Sequence, residues 1–308
     1  MLRIAVKCIG LVIFALIVCN TDWKKLYVVF SQVNPVKLVP IYLLIIPNLL
    51  AIGYKWHSVL RKLAIKRTFY ADIRLYFSGM LVGIITPGRL GELYPAIRLG
   101  KEGYSKMKVA FSILLTRFFD FTCLSAAGIV SLYIFFSSIM EGKTIVKTVL
   151  WSAFGVMALI IIGVFLFKEH INNVVVFILR KLFKLQVEQN ALSEGLSGMD
   201  IELFIKIVVL TLFFWGTYFY QMYLFGHLIG VDLPFFTMFG LLALVSLAAA
   251  LPITMIGLGT REFAMISLLA VFGGSREQAL ALSLMSYSIM LVNVVIATVF
   301  WMLEHGKD

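Results

Sequence analysis

Charge is what this 308-residue chain has least of: 14% of its residues are Asp, Glu, Lys or Arg, against 61% hydrophobic, and the mean hydropathy is +0.98. That balance excludes a soluble globular domain and leaves a polytopic membrane protein. Cysteine is equally scarce. Cys8, Cys19 and Cys123 lie in apolar runs without paired spacing, which argues against a disulfide framework or a zinc site. No Ala-x-Ala-like cleavage site follows the stretch Ile4 to Cys19 before Asp22-Trp23-Lys24-Lys25, so that stretch reads as a first helix and not as a removed signal. No G-x-x-x-x-G-K-[ST] loop is present to bind a nucleotide. His57, His170, His227 and His305 stand apart from the chain's broken motifs, and no acidic pair in a loop marks a metal-bound sugar-nucleotide site. Neither a metal nor a cofactor is expected. The net charge of +11 would suggest nucleic acid in a soluble protein, but here most basic residues flank apolar runs, where anionic headgroups account for them.

What the sequence does have is long apolar runs. Six are close to the roughly 20 residues that a bilayer requires: Ile4 to Cys19, Leu38 to Tyr54, Val109 to Phe136, Thr148 to Phe167, Phe204 to Ile229 and Gln278 to Leu303. Two further apolar regions are interrupted. In Ile73 to Leu99, Pro87-Gly88 separates two pieces too short to cross alone, and in Phe235 to Phe272, Pro252 and the Gly257/Gly259 pair divide an apolar arm, which could also span, from the shorter Glu262 to Phe272 arm. Unpaired backbone groups cost several kcal/mol each in hydrocarbon, so interrupted helices survive there only inside protein or beside a water-filled cavity. The two regions read as re-entrant helical hairpins, 73–99 and 235–272. The expected fold is therefore an all-α membrane protein, a single transmembrane domain over 1–308 with about six spans and two hairpins. Lysine and arginine are concentrated in the N-terminus, Lys55 to Arg74, Lys101 to Lys108, Lys168 to Glu202 and the C-terminus, which puts both termini in the cytoplasm. Ile171 to Leu185 alternates apolar residues with Arg180, Lys181 and Lys184, as a cytoplasmic interfacial helix does.

The interruptions share a pattern. When Glu92 and Glu262 are aligned, a glycine follows each by eleven residues (Gly103 and Gly273), then a short charged turn and a long helix. This predicts two repeats, about 38–136 and 204–303, inserted with opposite sense so that their motifs face one another near the midplane.

Seven ionisable residues fall at membrane depth: Arg89, Glu92, Arg98, Arg117, Asp120, Arg261 and Glu262. At about 3 kcal/mol each if unpaired, their insertion would cost roughly 20 kcal/mol, so burial and pairing must offset it. Arg117 and Asp120, like Arg89 and Glu92, are three residues apart and meet on one face. Arg261 and Glu262 are adjacent, diverge, and need partners elsewhere. Four arginines against three carboxylates, with two half-helix N-termini, favour an anion. The arginine fork suits phosphate, though chloride or a carboxylate satisfies the same logic, and Gly88, Gly91, Gly257 and Gly259 would let backbone amides approach it or, alternatively, let helices pack closely.

These residues carry a resemblance. Thr86-Pro87-Gly88-Arg89-x-Gly91-Glu92 and Gly257-x-Gly259-x-Arg261-Glu262 resemble the two signatures of the lysylphosphatidylglycerol synthase transmembrane-region family, with similarity over nearly the whole chain. The family includes the flippase half of the multiple peptide resistance factor and stand-alone members beside glycolipid and polyprenyl-linked sugar pathways. The resemblance implies movement of an anionic or phosphate-linked glycolipid, or an aminoacylated phospholipid, between leaflets. It assigns Thr86 and the other motif residues, with Arg117 and Asp120, to the lipid site. Tyr287 stands where the second repeat would align with Arg117, a departure from family members that carry arginine there. With no soluble domain after the last helix, aminoacyl transfer is not implied.

The leading expectation is thus a flippase in the cell membrane and not an enzyme, in which Arg89 and Arg261 counter a headgroup phosphate. Glu92 and Glu262 would fix those arginines or accept protons while the repeats rock. Two other classes fit the same residues: an integral membrane enzyme acting on lipid phosphates, and a non-transporting partner of lipid or glycan biosynthesis enzymes. Neither the sequence nor the charge calls for nucleic acid.

Overall fold

The computed structural model describes residues 2–139, 200–250 and 257–305, and every element among them is helical. In chain order they are α1 (Leu2–Cys19), α2 (Trp23–Ser31), α3 (Pro35–Leu43), α4 (Ile45–Lys62), α5 (Phe69–Ile85), a 3-10 segment (Pro87–Leu93), α6 (Tyr94–Lys101) and α7 (Lys106–Ile139). After the undescribed stretch come α8 (Ile201–Leu228), α9 (Phe235–Ala250), α10 (Thr260–Val271) and α11 (Arg276–His305). Among the described residues four segments are long and apolar enough to cross a bilayer: Pro35–Lys62, Lys106–Leu132, Ile201–Leu228 and Arg276–Leu303. The chain is an all-α polytopic membrane protein. The expected span Thr148 to Phe167 and the interfacial helix 171–185 lie outside the described residues.

The chain divides into two compact units. One comprises Met1–Leu49, Leu124–Lys143 and Phe213–Val295; the other comprises Leu50–Cys123, Thr144–Leu212 and Ile296–Asp308. The second unit is centred on Trp56, Leu60, Phe77 and Leu99, all fully buried. Trp56 Nε1 donates to Ser112 Oγ at 2.8 Å, and the Phe77 and Phe300 rings stack 5.4 Å apart. At the start of α5, buried Asp72 accepts from Arg67 at 3.1 Å and faces His57 at 2.7 Å, fixing α5 against α4. The core of the first unit is Phe219, Met222, Phe225, Ile229 and Met238. There Gln221 donates to the Ile41 carbonyl at 2.7 Å, and Tyr42 hydrogen-bonds Ser288.

Each unit contains one interrupted hairpin. In the second unit α5 stops at Thr86, whose extended backbone (φ −94°, ψ 141°) is what a following proline imposes. The chain then turns through the 3-10 segment and re-enters helix at α6, with Pro95 in its first turn. Small residues make the close approach of the arms feasible. A Cβ on Gly79 would lie 2.7 Å from Pro95 Cδ, one on Gly83 2.6 Å from Glu92 Cγ, and one on Gly91 2.6 Å from Val82 Cγ1. In the first unit α9 and α10 form the corresponding arms; at 16 and 12 residues neither reaches spanning length.

The exits also match. Gly103 (φ +88°) and Gly273 (φ +76°) end α6 and α10 in left-handed conformation. Tyr104 N–H bonds Leu99 O at 3.0 Å and Gly274 N–H bonds Leu269 O at 3.1 Å, the wrap-around bond that closes a helix on a glycine. The glutamates, these glycines and the starts of α7 and α11 all keep one constant sequence offset.

One expected boundary moves. The sequence predicts a second span over Leu38 to Tyr54, with Lys55 opening a cytoplasmic loop, but α4 runs on to Lys62 and the Lys55 side chain is 2% exposed. Its charge is matched inside the protein, so the helix has no reason to end there.

Candidate functional site

In the second unit five charged side chains form one connected chain. It starts at the tip of the hairpin with Arg89, whose φ of +57° places a non-glycine residue in left-handed backbone. That conformation costs about 1 kcal/mol for an L-residue with a Cβ. It turns the side chain outward, 56% exposed, with Nη1 3.4 Å from Glu92 Oε1. Glu92, 11% exposed, presents its other oxygen to Arg117 Nε at 2.7 Å. Arg117 also reaches Tyr76 Oη on α5 at 2.9 Å and Asp120 Oδ2 at 3.5 Å, one turn further along α7. Asp120 in turn pairs with Lys55 from α4, and Lys55 Nζ donates to Thr211 Oγ1 on α8 at 3.3 Å.

Helix spacing accounts for Arg117–Asp120 on α7, whereas Arg89 and Glu92 meet across the turn that the left-handed Arg89 makes. The tertiary fold adds the bonds that join them, Glu92–Arg117 and Asp120–Lys55. Together the five side chains hold three cations and two carboxylates, one positive charge in excess, graded from buried Lys55 to exposed Arg89.

Thr86 works within the turn. Its hydroxyl donates to the Val82 carbonyl at 3.0 Å and accepts from Gly91 N–H at 2.7 Å. Arg98 sits half-buried in the last turn of α6. Gly88 lies in the 3-10 segment that opens after Thr86.

The first unit places its motif differently. Gly257 (φ +78°) makes the turn, and a Cβ there would sit 2.8 Å from that of Ala249. Gly259 (φ +86°) precedes α10, and its N–H donates to Glu262 Oε2 at 2.6 Å. The other Glu262 oxygen accepts from Ser283 Oγ at 2.7 Å, leaving a carboxylate 1% exposed yet bonded on both sides. A carboxylate at N3 is well placed against the positive end of a helix. Arg261 diverges from it as adjacency requires: Nη1 donates to Ser286 Oγ at 2.8 Å, and the guanidinium lies 4.7 Å from the Tyr287 ring centroid. Tyr287 therefore takes the place beside the hairpin arginine that Arg117 takes beside Glu92.

Against this geometry the description "Lysylphosphatidylglycerol synthase TM region" matches residues 2–297. The chain belongs to that family. No match is found among curated proteins. Membership identifies a lipid-related integral membrane protein of the lysylphosphatidylglycerol synthase transmembrane-region family, and both hairpin motifs lie within the matched residues.

Sequence reasoning missed five participants, Lys55, Tyr76, Thr211, Ser283 and Ser286. Lys55 was read as a loop lysine because it follows an apolar run; the available signal was that its own flanks, Ile52 to Tyr54 and Trp56, are apolar or aromatic. Tyr76, Thr211, Ser283 and Ser286 are ordinary residues in apolar helices, and no local pattern distinguishes them.

Proposed function

We propose that this protein is a lipid transporter, not an enzyme, that carries a lipid with an anionic or phosphate-linked headgroup between the leaflets of the cell membrane. The hairpins are re-entrant in this reading, both termini are cytoplasmic, and the headgroup binds at Arg89, backed by Arg117. One observation carries the proposal: an arginine held in unfavourable left-handed backbone, more than half exposed at the tip of an interrupted helix, and joined through Glu92 to Arg117. Purely structural salt bridges do not require strained backbone at their most exposed member, whereas ligand sites commonly retain such strain. Family membership supports a lipid as the cargo. Arg261, stacked on Tyr287 and bonded to a serine, supplies a second cationic group whose partners are uncharged.

The test is leaflet exchange in proteoliposomes containing a panel of labelled lipids, among them aminoacylated phosphatidylglycerol and polyprenyl-phosphate sugars. Wild type is expected to accelerate exchange of at least one, and Arg89→Ala to lose that acceleration while remaining folded. Exchange no faster than in protein-free vesicles for every lipid, or an unchanged rate in the variant, would remove the proposal.

A further inference from the structure

The helix α2 (Trp23–Ser31) is properly capped and yet packs against almost nothing. Asp22 accepts from Lys24 N–H at 3.0 Å and from Lys25 N–H at 3.2 Å. The neighbouring α3 opens in the same way, with Asn34 accepting from Val36 N–H at 2.9 Å. Of its own residues α2 buries Leu26, while Trp23 is 57% and Tyr27 74% exposed, one turn apart on the same flank. At about 1.5 Å per residue the helix is roughly 14 Å long, too short to cross a bilayer. A helix of that length is marginal in water unless one of its faces is covered. The cover for Trp23 and Tyr27 therefore lies outside the chain.

Position and residue type say what it is. The span Pro35–Lys62 begins just after α2, so the helix stands where hydrocarbon gives way to headgroups. Tryptophan and tyrosine settle at that depth because each combines an apolar ring with a polar atom. Lys24, Lys25 and Lys37 are exposed around them. From Asp22 to Leu43 these three lysines face a single acid, and the Asp22 carboxylate is already engaged by the cap and by Lys25 Nζ at 3.8 Å. The segment is thus positively charged, which matches a phospholipid of net negative charge.

We propose that α2 is an interfacial helix seated on anionic phospholipid, with Trp23 and Tyr27 at the boundary of acyl chain and headgroup and Lys24, Lys25 and Lys37 against the phosphates. This requires only that the chain is an integral membrane protein. It is independent of the hairpin motifs and of transport.

The experiment follows Trp23 in the full chain reconstituted in vesicles of phosphatidylglycerol and phosphatidylcholine. Its emission is the difference between wild type and Trp23→Phe, which removes the contribution of the other tryptophans. Bromine on an acyl chain quenches by contact, and iodide quenches what water reaches. Trp23 is expected to be quenched by brominated lipid and sheltered from iodide. With the bromine on one lipid or the other in the same mixture, its apparent association should favour phosphatidylglycerol by about fivefold or more, the factor that one lysine contributes beside an anionic surface. Lys24→Gln/Lys25→Gln/Lys37→Gln is expected to bring that ratio close to one at unchanged thermal stability. About 1 M salt is expected to lower the wild-type ratio without any substitution. Quenching by iodide alone would put α2 in water, and shelter from both quenchers would mean that a second copy or a partner protein covers it; either result overturns the proposal. Equal quenching by the two lipids in the wild type, or a ratio that neither salt nor the triple variant changes, would overturn it as well.

Discussion

The two hairpins contain the same ingredients, a left-handed residue, an arginine and a glutamate, in different order. In the first the left-handed position is Arg89 and the glycine two residues on, Gly91, packs against Val82; in the second the left-handed position is Gly259 and the residue two on is Arg261. The glutamate's role changes with that exchange. Glu92 has guanidiniums on both sides, Arg89 and Arg117, and is part of a charge network. Glu262 bonds a backbone amide and a serine and holds the start of α10 in place. An acid at the same sequence offset is thus electrostatic in one unit and a helix cap in the other. The cause lies 25 residues downstream of each glutamate, where α7 offers Arg117 and α11 offers Tyr287. With no second guanidinium to bind, Glu262 caps its own helix and takes Ser283 of α11 as its other partner.

The comparison breaks most visibly at those downstream positions. Arg117→Met removes a cation shared by Glu92 and Asp120 and strips Tyr76 of its partner. It is expected to cost about 3 kcal/mol, the lower end for a broken buried pair because the guanidinium is partly exposed, and to abolish translocation. Tyr287→Met removes only the ring under Arg261, a contact worth about 0.5–1 kcal/mol. Thermal unfolding in detergent measures both. Equal losses would mean that the hairpins are more alike than their contacts indicate.

Glu262→Ala sharpens the contrast from the other side. It deprives Gly259 N–H and Ser283 of their acceptor at the start of α10 and is expected to cost about 1–2 kcal/mol, the size of a lost helix cap. Because Arg261 does not pair with Glu262, its contacts with Ser286 and Tyr287 should persist. Hydrogen exchange is expected to quicken at the N-terminal turn of α10 in this variant and to stay at wild-type rates in α6. Quickening that spreads equally to both hairpins would contradict the cap assignment.

How much of this was readable beforehand follows the range of each interaction. Apolar runs of spanning length and the Pro-Gly interruption at Pro87-Gly88 are local, and α7, α8, α11 and the arms α5 and α6 lie close to where those signals placed them. The i, i+3 pair Arg117–Asp120 is set by helical pitch, and the divergence of Arg261 from Glu262 by adjacency; Arg89 and Glu92 meet as their spacing predicts, but through a turn in which Arg89 is left-handed. Lys55–Asp120 spans 65 residues, and nothing near Lys55 announces a buried acid. The amides were harder still. Gly91 and Gly259 were read as glycines opening their N–H groups to an anion or allowing close packing, yet Gly91 N–H bonds Thr86 and Gly259 N–H bonds Glu262. A sequence shows that an amide is sterically accessible; which acceptor claims it depends on the turn's three-dimensional path. The left-handed backbone of Arg89 was hidden for the same reason, since a residue without a sequence preference for that conformation gives no warning of it.

Arg89→Gly gives the smallest change in stability and the clearest separation of function from fold. It makes the first hairpin match the second at the left-handed position, where glycine pays no Cβ penalty. Relief of about 1 kcal/mol of backbone strain is offset by the exposed pair with Glu92, worth a few tenths of a kcal/mol, and by the greater freedom of glycine in the unfolded chain. Thermal stability should therefore equal the wild type's or exceed it by about 0.5 kcal/mol. If Arg89 meets the headgroup as proposed, translocation of the preferred lipid should fall at least about tenfold. Such a combination has one physical reading: the strain is tolerated for the arginine's contact with something outside the hairpin. If stability and translocation fall together, Arg89 serves the turn itself; if translocation is unchanged, the headgroup binds elsewhere.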